Sequence, residues 1–351
     1  MGHQIEKISR RATLFRSAPI SDISPAWLIG PFGARLSDVK KLALAIAIAM
    51  ALTSPVAAQP SIAILTGSTS GVYYPLGNAI SAIFLKTIPG ARSSVQVTQG
   101  SIENLKLLED GDGELAFSLG DSLSAAWKGN AEAGFRTPLT KLRGIAAIYR
   151  NYVQLVVSEA SGIKALADLK GKRVSVGPKQ SGTELNARAI FAAAGLSYRD
   201  FSRTDYLPFG QSAKLIEKGD LDATLQSAGL GVDSIRQLGT SVAINFVEIP
   251  KEVVIKINDA AVVPSIIPAR TYEGQTKDIE TAAIVNFLVT REGVSADTVY
   301  AMTRAIFSNL TQLVQTHPAA NGISLKDAMV GMPLPLHPGA ERYYREVGIL
   351  R

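Results

Sequence analysis

Two long apolar segments, Leu142–Ser158 (LRGIAAIYRNYVQLVVS) and residues 280–290 (ETAAIVNFLVT), constrain the architecture of this chain most. Both are rich in β-branched and aromatic residues and free of proline. Both outrun an ordinary strand of roughly 5–6 residues. A strand of that length leaves one domain and runs into the next. Around them, from Ser61 onward, short apolar runs alternate with amphipathic stretches, the pattern of a parallel sheet with covering helices. Two crossovers bring the C-terminal part back to the first domain. The expected architecture is α/β: two doubly wound lobes joined by two hinge strands, with a ligand cleft between them. Lobe 1 comprises residues 59–150 and 280–351, and lobe 2 residues 151–279.

Within that frame the apolar runs predict strands at 62–65, 94–98, 115–118, 174–176, 204–207, 223–226 and 242–247. Helical patterns cover 74–87, 101–109, 122–128, 182–194, 211–217, 229–238, 296–315 and 341–347. No internal repeat or low-complexity tract interrupts them.

Residues 1–58 read differently. Lys40 and Lys41 precede the apolar run LALAIAIAMAL, and Val56-Ala57-Ala58 offers small residues before Gln59. That is a signal peptide cut near Ala58–Gln59. The apolar run is shorter than the ~20 residues a bilayer span needs. Residues 1–38 place it too far from the start, which implies a mis-assigned start with the true one near Leu36 or Val39. The leader also distorts the charge. Of 36 Lys and Arg and 30 Asp and Glu, seven and three fall in residues 1–58, leaving 29 against 27, a net of +2 in place of +6. Nucleic-acid binding finds no support in that balance.

The supply of reactive side chains excludes several chemistries. With no Cys there is no thiolate metal site or Cys nucleophile. Beyond residue 58 the only histidines are His317 and His337, each followed by proline in loop-like sequence. A His-built metal site or a Ser-His-Asp triad is not expected, nor is any cofactor or catalytic residue.

Binding groups cluster instead at strand-to-helix junctions, where the positive end of a helix favours an anion. The first junction offers the hydroxyls of Thr66, Ser68, Thr69 and Ser70, then Gly71, with Tyr74 bordering the site. It is not a phosphate loop of the Walker type, because no Gly-Lys-Ser/Thr follows. The second puts Gln99 and Gly100 ahead of Ser101, a candidate N-cap. The third, Ser181-Gly182-Thr183-Glu184, fits the capping box; Gly182 adds an unobstructed N–H and Thr183 a hydroxyl. The fourth places Asp121 at a strand-to-helix turn, where capping is its default role. Arg150 lies on the first hinge segment between Tyr149 and Asn151; it either pairs with a ligand carboxylate or is a solvated strand arginine.

Six blocks, in order, resemble the TAXI solute receptors of the tripartite ATP-independent periplasmic (TRAP) transporters. They are TGSTSGVYYPL with Gly77, GSIENLKL, GELAFSLGD, DLKGKRVSVGPKQSGTE, GDLDA and GMPLPLHPGAERYYREVG, and they cover nearly all of residues 61–350. The resemblance implies a type II periplasmic-binding-protein fold. It further implies capture of a small organic acid (glutamate, glutamine or a dicarboxylate or keto acid) and delivery to a membrane permease driven by an ion gradient. Two departures stand out. Family members often carry Gln-Ser-Asp where this chain has Leu119, Gly120 and Asp121, and Tyr-Pro-Glu where it has Tyr149, Arg150 and Asn151. The expectation is a monomeric periplasmic binding protein, not an enzyme. The alternatives are a sensor that signals through a membrane partner, or an enzyme on the same fold.

Overall fold

The structure, a computed structural model, describes residues 59–351. The expected leader, its cleavage site and the alternative start fall outside the described residues. Ten strands follow in chain order: β1 (Ser61–Leu65), β2 (Arg92–Gln96), β3 (Leu115–Leu119), β4 (Leu142–Ser158), β5 (Arg173–Ser175), β6 (Arg203–Asp205), β7 (Ala223–Ala228), β8 (Ile244–Val247), β9 (Val262–Ile267) and β10 (Ile279–Arg291). They form one sheet in the order β2-β1-β3-β10-β4-β7-β5-β6, with β8 also on β4 and β9 also on β10. Ten α-helices accompany it among the described residues.

β4 and β10 are the two long strands the sequence announces, and they serve both halves of the sheet. Residues 286–289 of β10 pair antiparallel with β3, and residues 279–284 pair with β9. β4 lies along β10 from Leu142 to Tyr152, then pairs with β7 from Tyr152 to Val157. The parallel pairs β1–β2 and β1–β3 build one half, and β5–β6 and β5–β7 the other.

Side-chain alternation explains why both faces of the sheet carry helices. In β1, Ile62 and Ile64 enter the core with Ile80 and Phe84 of helix Tyr73–Thr87. Leu65 enters the opposite layer with Ile102, Leu105 and Leu123. In β4, Val153, Leu155 and Val157 pack with Ile190 and Phe191 of helix Gly182–Ala193.

Several boundaries depart from the predicted ones. The strand expected at 94–98 is β2, ending at Gln96, because Thr98 turns its hydroxyl to Thr66 O and Asn104 Oδ1. The helix expected at 296–315 divides into Ala296–Phe307 and Leu310–Thr316, with Asn309 non-helical at φ −130° and its amide bonded back to Ala305 O. The helix expected at 229–238 is Asp233–Ser241, because Gly231 turns with φ 78° while Tyr272 Oη accepts from Gly231 N and Val232 N. Sequence reasoning did not find helix Lys251–Lys256 or β9. Pro264 breaks the strand signal of β9, and the structure tolerates it on an edge strand.

Ser295 caps helix Ala296–Phe307 by accepting from Thr298 N at 3.2 Å. Ser295→Ala is expected to lower stability by about 1 kcal/mol, read as a shifted urea midpoint at constant slope.

Candidate functional site

A cavity of about 40 Å3 lies between the two halves at the strand ends. Four helices present their N-termini to it. Gly67, Ser68, Gly71, Val72 and Tyr73 come from the loop into helix Tyr73–Thr87, and Gln99, Gly100 and Ser101 from the start of helix Ser101–Asp110. Across from them stand Ser181, Gly182 and Thr183 at helix Gly182–Ala193 and Phe209 at helix Phe209–Glu217. First-turn N–H groups have no intrahelical partner, so the cavity is surrounded by donors and by the positive ends of dipoles.

The local chemistry fixes those donors. Ser181 Oγ accepts from Glu184 N at 3.1 Å and donates to Pro178 O at 2.6 Å. Its cap uses only the third N–H of the helix, leaving those of Gly182 and Thr183 for a ligand. Gly100, at φ 117°, permits the turn into helix Ser101–Asp110 in a region other residues rarely adopt.

The floor belongs to the hinge strands. Tyr73 Oη donates to Asn286 Oδ1 at 2.5 Å, and Asn286 Nδ2 donates to Asn151 Oδ1 at 2.7 Å. Asn151 Nδ2 then donates to Ser227 O at 2.8 Å. Tyr149 and Ser227 also line the cavity, and each carries a hydroxyl, Oη and Oγ respectively. Both are buried, their residues 3% and 4% exposed, and neither has a hydrogen-bond partner among the described residues. Burial raises the Tyr149 phenol well above its ordinary value, so it stays protonated. No charged side chain lines the cavity among the described residues.

Four hydrogen bonds join the halves around the cavity. Gly210 N donates to Ser70 Oγ at 2.8 Å, Glu103 N to Gln180 O at 3.1 Å, Arg188 Nη1 to Glu132 O at 2.5 Å, and Asn186 Nδ2 to Asp121 Oδ2 at 2.5 Å.

Of the residues singled out in the sequence, Ser68, Gly71, Gln99, Gly100, Ser181, Gly182 and Thr183 meet at this cavity. The others are placed elsewhere. Thr66 is fully buried, with its hydroxyl donated to Gln96 O. Thr69 is exposed beside a separate surface hollow. Ser70 bridges the halves instead of facing the cavity. Tyr73 takes the position expected of Tyr74, stacked on Phe117 with centroids 4.9 Å apart. Asp121 is buried behind Leu119 against Asn186, where burial first, and Asp259 after it, push its carboxyl up to about 7. Arg150 is exposed and borders two other hollows instead of this cavity, one of them shared with Tyr149 where the β4–β10 register shifts.

The sequence reading missed Phe209, Ser227 and Ala228, which lie in the second half and announce themselves by no loop motif. Both histidines are helix or turn caps away from the cavity: His337 Nδ1 accepts from Gly339 N and His317 Nδ1 from Ala319 N. Burial holds both rings below their ordinary pKa.

A mixed α/β sheet crossed by two shared strands, with helix N-termini facing one another across the junction, is the fold of the periplasmic binding proteins. The chain belongs to the NMT1-like family, which it matches over residues 64–348. Among solved structures it is similar to PhnD1 from Prochlorococcus marinus (MIT 9301), determined with methylphosphonate, at a TM-score of 0.53 and 13% identity, covering 83% of this chain and 99% of that one. It is also similar to a protein of Bordetella bronchiseptica RB50, at a TM-score of 0.50 and 16% identity over 82% and 89%. The periplasmic aliphatic sulphonate binding protein SsuA from Escherichia coli aligns at a TM-score of 0.40 and 17% identity over 74% and 79%.

Proposed function

We propose that this chain is an extracytoplasmic solute-binding protein that captures a small organic acid and delivers it to a TRAP-type membrane permease. The observation that carries this reading is the convergence of four helix N-termini, drawn from both halves of the sheet, on one cavity whose described lining is uncharged. A carboxylate docks on the free N–H groups of the first-half helices, and the second half adds Gly182, Thr183 and Phe209. At about 40 Å3 the cavity holds roughly three waters, so most solutes enter only when the halves part. Lobe 1 (59–150 and 280–351) and lobe 2 (151–279) move about β4 and β10. A solute that touches both lobes favours the closed arrangement by its differential affinity.

Micromolar binding requires about 8 kcal/mol. Three to six hydrogen bonds to a charged group, at roughly 1.5–3 kcal/mol each, supply that on a preformed frame. Among the described residues the cavity offers no nucleophile–base pair: Ser68 Oγ bonds Ser70 Oγ at 3.1 Å, and His317 and His337 lie elsewhere. The leader accounts for export, and the closed surface is what a permease recognises.

A thermal-shift screen of organic acids, followed by calorimetric titration, tests the reading: a saturable shift with stoichiometric binding and no turnover is expected. Thr183→Ala should weaken the bound acid about 5–10-fold with an unchanged apo melting temperature. Unchanged affinity removes the second lobe from the grip.

A further inference from the structure

We infer that the cavity selects a small monocarboxylate that bears one neutral oxygen function and no ammonium group, a 2-hydroxy or 2-oxo acid, and that Tyr149 Oη and Ser227 Oγ read that second oxygen. This rests on the solute-binding reading above and narrows it against the amino acids and dicarboxylates that the family resemblance suggests.

Three observations converge on this. First, the lining presents donors in the first-turn N–H groups of helices Tyr73–Thr87, Ser101–Asp110 and Gly182–Ala193, and it includes no carboxylate among the described residues. An amino acid's ammonium would be desolvated beside the positive ends of helices without an anion to pair with, which is among the costliest arrangements in a protein interior. Two acids stand near the lining and both are engaged: Glu103 Oε2 accepts from Gln99 N at 2.5 Å, and the buried Asp121 has both oxygens occupied by Ser122 N and Asn186 Nδ2. Second, the lining also lacks Lys and Arg, so one carboxylate fits the helix ends but a second would have no counter-charge. Arg150, which could have supplied one, does not line this cavity and borders other hollows.

Third, buried polar groups are nearly always paired, and unpaired ones call for an explanation. Tyr149 Oη and Ser227 Oγ are unpaired and buried, and the two residues that carry them line the same cavity from the adjacent strands β4 and β7. The main-chain groups around them are already used: Tyr149 O accepts from Asn286 Nδ2 at 3.1 Å and Ser227 O from Asn151 Nδ2 at 2.8 Å. A phenol donates and a serine hydroxyl both donates and accepts, so together they satisfy a hydroxyl or a carbonyl oxygen. The walls beside them, Phe209, Leu119 and Ala228, accept only a short apolar remainder. The small volume favours two- or three-carbon acids.

The test is calorimetric titration of the purified protein with a size-matched series: lactate, pyruvate, propanoate, alanine and malonate. Lactate or pyruvate should bind at least 100-fold more tightly than alanine and malonate, and about 10-fold more tightly than propanoate. Tyr149→Phe removes a hydroxyl that has no partner, so the fold is retained. It should erase the roughly 10-fold advantage of lactate or pyruvate over propanoate, read as the ratio of the two affinities in the same variant; Ser227→Ala is the companion variant. Alanine or malonate binding as tightly as lactate overturns the selectivity while leaving the solute-binding reading in place. A Tyr149→Phe variant that retains the lactate preference overturns the role of the hydroxyls. If no acid of the series binds at millimolar concentration but a larger solute gives a saturable shift, the inference fails and the binding reading stands. If nothing binds in either screen, both fail.

Discussion

Gly182→Val is expected to abolish high-affinity solute binding while leaving each half of the sheet folded. Gly182 is the first residue of helix Gly182–Ala193, and its backbone is ordinary, so a side chain strains nothing locally. The obstacle lies across the cleft. A Cβ built there would stand 2.6 Å from Leu119 Cδ1, 2.8 Å from Ser101 Oγ and 3.0 Å from Ser122 Oγ, all in the other half. Leu119 ends β3 and is 2% exposed. Ser101 Oγ is held by Leu119 N at 3.1 Å. None of the three has room to retreat, so the halves must stay apart by an ångström or more. Directional bonds across the cavity then stretch beyond hydrogen-bond range. Loss of two such bonds to an anion corresponds to about 3 kcal/mol, or at least 100-fold in dissociation constant. The check is titration with the tightest solute from the screen, beside a melt without solute. Wild-type affinity in Gly182→Val would mean the halves do not close here. A melting temperature lowered by more than about 10 °C without solute would make this a fold contact and not a closing one.

That glycine was visible in the sequence, because it sits where a local signal marks the start of a helix. Junctions of strand and helix leave local signals: a capping box at Ser181–Glu184, a glycine before Ser101, a run of hydroxyls after β1. Residues placed by those signals, among them Ser68, Gly100 and Thr183, reach the cavity. The two long strands were equally legible, because length and β-branching are local properties. What failed was orientation and distance. Arg150 drew attention as a charge on a hinge strand, yet it borders two other hollows, and the register shift between β4 and β10 beside it is a long-range feature that no local pattern encodes. Tyr73 and Tyr74 are separated by about 100° around their helix, and only packing against Phe117 chooses between them. Ser227 and Ala228 arrive through the pairing of β7 with β4, a contact between segments about 70 residues apart that no local pattern encodes, and Phe209 arrives at the start of helix Phe209–Glu217. The division of helix 296–315 at Asn309 is another such case, since an asparagine in a helical pattern becomes a break only when its side chain finds Ala305 O.

Asp121 supplies the second large effect, a pH dependence whose direction follows from its surroundings. Its carboxylate sits at the junction of the halves, 5% exposed, accepting from Ser122 N at 2.6 Å and Asn186 Nδ2 at 2.5 Å. Desolvation outweighs those bonds, and Asp259 adds like-charge repulsion, so the pKa rises from 3.8 to about 7. The folded, closed chain therefore holds a proton that the unfolded or opened chain has released between about pH 4 and 7. A group of this kind contributes stability that is complete below its unfolded pKa and gone once pH passes its folded pKa. Stability and closure should both fall as pH rises from 4 to 7 and level off above, by about 2–3 kcal/mol between pH 5 and 8. Asp121→Asn isolates the effect. Its carbonyl can still accept from Ser122 N. Its amide can donate to Asn186 Oδ1, a buried atom without a partner, once the Asn186 amide turns over. The variant is uncharged at every pH, so its urea-derived stability should lose this slope and exceed the wild type above pH 7. Wild-type and variant curves that run parallel from pH 5 to 8 would show that Asp121 is ionised throughout and that the Asn186 contact, despite its burial, carries a full negative charge.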